Sequence, residues 1–158
     1  MKETKHSLGD LPLNNIFFLI VLFFFVVSCS QNDETQRIKD YFADTYHYTI
    51  KPNQMIIILS DNGCYHCNRT FSENEIKYIR NKKVIFLITA DENHLDLSHY
   101  LNKENVFFDD KKILSDYGID DNSGFIEIKN NKIDTIVHIQ YDKVLDQITF
   151  LDKTINNL

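Results

Sequence analysis

Two cysteines, Cys64 and Cys67, stand with Tyr65 and His66 between them. On a helix, positions three apart share a face, with Cβ atoms roughly 5–6 Å apart. A small adjustment brings them to the ~3.8 Å typical of a disulfide, so the pair can close and open reversibly. A thiolate, not a thiol, attacks a disulfide, so the attacking sulfur needs its negative charge stabilised. The unpaired N–H groups and positive dipole end of a helix supply that stabilisation if Cys64 sits at the helix start. His66 adds positive charge or a hydrogen bond. These effects favour the reduced form and make the disulfide more oxidising. The spacing therefore assigns Cys64 as nucleophile, Cys67 as resolving thiol one turn in, and His66 as a tuner of the thiolate, with Tyr65 completing the candidate site.

Other uses of the pair remain open at this level. A zinc site normally takes four ligands, and the sequence has no second pair of cysteines at this spacing. The histidines His6, His47, His66, His94, His99 and His138 show no three- or four-residue pairing among themselves. Covalent haem attachment needs a histidine directly after the second cysteine, where Asn68 stands. No metal ligand set is therefore expected. A static disulfide is a further alternative, although so tight a loop constrains little of the unfolded chain.

The elements that must position the pair are legible on both sides. Met55-Ile56-Ile57-Ile58-Leu59 is an apolar run that reads as a buried strand, broken by a polar turn containing Gly63. Before it, Ile38, Tyr41, Phe42 and Thr45 share one face of a helix over about Asp33 to Tyr46. After the cysteine helix, Ser72-Glu73-Asn74-Glu75 has the spacing of a capping box, predicting a kink or restart before Ile76 and Ile79. Val84 to Thr89 reads as a second buried strand, and Asp91 as the cap of a helix carrying Leu97, Tyr100 and Leu101. A short strand at Val106 to Phe108 and a short helix from Lys111 to Tyr117, stopped by Gly118, follow. Phe125 to Ile128 and Ile133 to Ile139 form a hairpin across Asn130-Asn131, residues that tolerate positive φ. Asp142 is placed to cap a last helix with Val144, Ile148, Leu151 and Ile155 in one stripe.

The chain opens differently. Lys2 and Lys5 precede an unbroken apolar run from Ile16 to Val27, which ends abruptly at Ser28-Cys29. Twelve apolar residues fit a signal peptide and fall short of the roughly 20 needed to span a bilayer. Val26-Val27-Ser28-Cys29 resembles the lipobox of bacterial lipoproteins. That resemblance implies cleavage before Cys29, lipid on Cys29 and anchoring to the envelope membrane, with Ser30 pointing to the outer membrane. An ordinary secretory signal or an uncleaved anchor are the alternatives. Residues 1–28 are thus expected to be a signal peptide and 29–34 the lipidated cysteine and its tether. With one of the three cysteines lipidated and two paired, no stray thiol is left in an oxidising compartment.

Residues 35–158 suffice for one domain with its own core. The net charge is −6, to which the opening contributes nothing because Lys2 and Lys5 balance Glu3 and Asp10. An acidic chain with no basic cluster argues against nucleic acid and against binding to anionic lipid surfaces.

The order of elements, the position of Cys64-Tyr65-His66-Cys67 and the closing hairpin plus helix resemble the thioredoxin-like fold. Val106-Phe107-Phe108-Asp109 followed by Tyr117-Gly118-Ile119 is similar to its TlpA/ResA-like branch. The resemblance implies an α/β three-layer sandwich, with a mixed central sheet and helices on both faces, over residues 35–158. It also implies a thiol-disulfide oxidoreductase whose partners are protein thiols or disulfides and which needs no separate cofactor. Members of the family carry a cis-proline opposite the disulfide. Ser123 stands at that position here, followed by Gly124, so these two are the candidate substrate loop. A serine rarely holds a cis peptide, at a cost of about 2.5–4 kcal/mol. The acid that thioredoxins bury in the strand before the motif falls on Ile58. A non-catalytic binding module of the same fold, and a metal- or haem-handling chaperone using the same cysteines, are the rival functions.

Overall fold

The computed structural model describes residues 33–91, 94–109 and 113–158. The apolar run, Cys29, Ser30 and Lys111 lie outside these residues. Asp33 and Glu34 are helical, so the anticipated tether does not extend to Glu34. Helix α1 covers residues 33–46 among those described. It ends where His47 adopts a left-handed conformation (φ 53°), with Tyr48 N–H bonding to Phe42 O and His47 N–H to Ala43 O. Those two bonds satisfy carbonyls that the helix end would otherwise leave open.

Every residue of β1 (Gln54–Leu59) is buried. A continuous apolar run without alternation is what a strand covered on both sides requires. Following β1 are α2 (Tyr65–Glu75), β2 (Val84–Ile88), β3 (Val106–Phe108), β4 (Gly124–Lys129), β5 (Lys132–His138) and α3 (Val144–Asn156). The five strands form one mixed sheet in the order β3-β2-β1-β4-β5. β1 pairs in parallel with β2, and β2 with β3, while β4 runs antiparallel to β1 and to β5. The chain is therefore α/β, with β1 at the centre of the sheet.

Side-chain alternation along the strands divides the core into two clusters. Met55, Ile57, Leu59, Val84, Phe86 and Ile88 pack with Phe71 of α2 and with Ile148, Leu151 and Ile155 of α3. Ile56, Ile58, Ile85, Leu87 and Ile126 pack with Ile38, Tyr41 and Phe42 of α1. Each fully buried side chain of this size stabilises by about 1.5–3 kcal/mol. The hairpin turns at Asn130 and Asn131, both at positive φ, as their types suggested.

Four local expectations need correction. The capping box does not form: the Ser72 hydroxyl donates to Arg69 O within a continuous α2, and Glu75 is buried instead of reaching back to a free N–H. The helix tightens into a 3₁₀ turn only at Ile76–Tyr78. Between Asp91 and β3 the described residues form turns and no helix. There Asp96 accepts the Ser98 N–H and Tyr100 N–H bonds to Leu97 O, closing separate turns in competition with a helix. Leu97 and Tyr100 are buried all the same, while Leu101 is exposed. The segment ending at Tyr117 is a 3₁₀ turn, Ile113–Tyr117, whose first N–H groups are held by the Asp109 carboxylate. Asp142 does not cap α3; Gln147 reaches back instead, accepting from Gln140 N–H and donating to His138 O.

Candidate active site

β1 delivers the chain to the site and α2 carries the sulfurs away from it. Between them, Gly63 turns at φ +86°, a conformation that a side chain disfavours even though the space beside it is open. Cys64 is the N-cap of α2, in extended conformation. Cys67 lies one turn in and is buried, whereas Cys64 is half-buried. The two are joined as a disulfide with a Cα–Cα separation of 5.3 Å. Cys64 Sγ accepts the Cys67 N–H at 3.3 Å, the bond that an N-cap side chain makes. The first turn of α2 contains no acidic residue. When the disulfide opens, the same N–H and the helix dipole face the Cys64 sulfur, and no carboxylate in that turn opposes its negative charge.

The turn is held by amides. Asn68 Nδ2, buried in α2, donates to Asn62 O at 2.7 Å, and Asn62 Nδ2 donates to Asp121 Oδ2 at 2.7 Å. His94 Nδ1 lies 3.4 Å from Asp61 Oδ2, linking the segment after β2 to the same turn. None of these residues was singled out as part of the site, and nothing in their spacing marks them: each partner is brought up by a different element.

The anticipated residues separate into two groups. Cys64, Tyr65, His66 and Cys67 are together by necessity of the helix. Tyr65 and His66 are both exposed, with ring centroids 5.5 Å apart and edge to face. Ser123 is buried, and its hydroxyl clasps the end of β1 by accepting Ser60 N–H at 2.9 Å and donating to Ser60 O at 3.1 Å. No cis peptide bond occurs among the described residues. Gly124 pairs with Ile58 and His138, and a Cβ there would collide with the Val137 carbonyl oxygen, so it serves the close approach of β4 and β5.

Among the described residues, no cluster of three or more His, Cys, Asp or Glu side chains is placed to hold a metal ion. No protein-family model matches the chain, and neither does any curated protein or solved structure.

Proposed function

We propose that the chain is a thioredoxin-like protein of the TlpA/ResA-like kind. Its Cys64–Cys67 pair exchanges electrons with protein thiols or disulfides in the bacterial envelope, where lipid on Cys29 anchors it to a membrane. The observation that carries this reading is the asymmetry of the pair: Cys64 caps α2 and is partly accessible, and Cys67 is buried one turn in. The two core clusters, drawing α1 to one set of strand residues and α2 with α3 to the other, support the three-layer sandwich.

In the reducing direction, the Cys64 thiolate attacks one sulfur of a partner disulfide, and the other partner sulfur leaves as a thiolate that takes a proton from water. Cys67 then loses its proton and attacks Cys64 Sγ, releasing the second partner thiol and closing the Cys64–Cys67 bond. Two electrons pass to the partner. The oxidising direction is the reverse, and a reduction potential near about −270 mV or about −120 mV distinguishes a reductase from an oxidant.

Cys67→Ser should accumulate a mixed disulfide through Cys64, seen as a reducible mass shift, and Cys64→Ser should form none. Failure of the reduced wild-type protein to reduce any disulfide, together with failure of its disulfide form to oxidise any dithiol, would remove the reading and favour a binding module. Loss of lipid labelling in Cys29→Ser tests the anchor.

A further inference from the structure

A buried acid lies away from the cysteine pair, at the other end of its helix. Glu75, in the last turn of α2, is fully buried, and neither carboxyl oxygen has a hydrogen-bond partner among the described residues. Such a carboxyl is stable only while it keeps its proton, because burial penalises the charged form. The titratable and charged groups that face it are Lys77 and Tyr78 from the turn beyond α2, Asp152 from α3, and Tyr100 from the segment after β2. Three of these are engaged with one another: Lys77 Nζ and Tyr78 Oη both hold the Asp152 carboxylate at 2.8 Å.

Tyr100 is placed differently. A groove of about 660 Å³ opens to solvent beside α2, and Ser72, Ile76 and Tyr100 line it while Glu75 does not. The Tyr100 ring thus faces the buried carboxyl on one side and the groove on the other. A single hydrogen bond pins it to α2, from Tyr100 Oη to Ser72 O at 2.9 Å. The segment that carries it, residues 94–101, consists of turns closed by local bonds, such as Tyr100 N–H to Leu97 O and Ser98 N–H to Asp96 Oδ1. Helices α2 and α3 have their own backbone ladders. A segment without one opens at lower cost than they do.

We propose that Tyr100 is a gate: when Glu75 gives up its proton to water, the ring swings away from Ser72 O and the groove hydrates the carboxylate. The gate is closed while Glu75 is protonated and open once it is ionised. Burial holds the carboxyl well above the ordinary carboxylate range, so opening falls on the alkaline side of neutrality. The device does not depend on electron exchange at Cys64 and Cys67. Its segment nevertheless reaches their turn, because His94 at its start lies 3.4 Å from Asp61.

The test follows the full chain by NMR, with the disulfide intact and a neutral gadolinium chelate as solvent probe. Between pH 6 and pH 9 the relaxation enhancement of the Tyr100 ring should rise at least about threefold. Tyr41, buried with α1 in the other core cluster, should stay constant. In Glu75→Gln, which is neutral at both pH values, Tyr100 should not change. Glu75→Leu carries the same expectation and decides the matter if a buried amide disturbs the fold. Tyr100→Phe lacks the bond to Ser72 O, so the Glu75 midpoint, read from its carboxyl carbon, should fall by about half a pH unit or more. The gate is overturned by no rise in wild type, by an equal rise at Tyr41 or in both neutral variants, or by an unmoved Glu75 midpoint in Tyr100→Phe.

Discussion

The two ends of α2 hold acids whose surroundings are opposite. At the N-terminal end Cys64 is half-buried, accepts a backbone N–H and meets no acidic residue in the first turn. At the C-terminal end Glu75 is fully buried, and neither carboxyl oxygen has a hydrogen-bond partner among the described residues. Burial pushes the Glu75 carboxyl up to about 8; Lys77 opposes the shift, and Asp152 adds to it. The helix dipole works in the same two directions, welcoming negative charge at its start and resisting it at its end. One helix thus favours an anion where the proposed exchange needs one and keeps a carboxyl neutral where the core surrounds it.

The largest test of this contrast is Glu75→Leu. Unfolded, the carboxyl titrates near 4.5; folded, it does so at about 8. Below the lower value both states are protonated. As pH rises from there, the unfolded chain releases its proton first, so wild-type stability falls until the folded carboxyl also ionises, and then levels off. At about 1.4 kcal/mol per pH unit, the interval corresponds to roughly 5 kcal/mol. Urea unfolding at pH 5, 7 and 9 should show that slope in wild type and a flatter profile in the variant. An identical slope in both would mean that Glu75 does not carry it.

At the other end, the turn before Cys64 depends on Asn68. Asn68→Ala removes the buried amide that donates to Asn62 O and should cost about 1–3 kcal/mol in urea unfolding. A loss under about 0.5 kcal/mol would show that the amide does not hold the turn. Reducing the disulfide should cost less. A closed loop this short is worth about 2 kcal/mol by chain entropy, and the thiolate favoured at the helix start returns part of it. Differential calorimetry with and without dithiothreitol reads the difference, and a larger loss would mean that the bond is structural rather than reversible.

The sequence made the N-terminal end of α2 legible and hid the other. An isoleucine run, a glycine at a break and two cysteines at helical spacing are local signals, and the structure has strand, turn and N-cap in those places. Ser72 and Glu75 had the local form of a capping box. That pattern cannot register that α3 and Tyr100 close over the helix end, where Tyr100 Oη donates to Ser72 O and leaves Glu75 in the core. The same limit hid the Asn62–Asp121 and Asp61–His94 pairs, whose members lie far apart along the chain. Residues 94–102 form turns where buried Leu97 and Tyr100 fit a helical period, because the Asp96 carboxylate accepts the Ser98 N–H and closes a turn instead.

The smallest expected effect separates the helix from the histidine as the source of thiolate stabilisation. His66 is exposed and leans on Tyr65, so its contribution is screened by water and salt, and exposed charges near a helix end are worth about 0.3–1 kcal/mol. The Cys67 N–H contact belongs to the backbone and survives any change at position 66. In a Cys67→Ser background, the pH midpoint of Cys64 alkylation should lie below the about 8.5 of free cysteine. Adding His66→Ala should raise that midpoint by less than about one unit, because an exposed side chain contributes to the thiolate only by a screened amount. A rise that restores the free-cysteine value would assign the stabilisation to the imidazole and take it away from the start of α2.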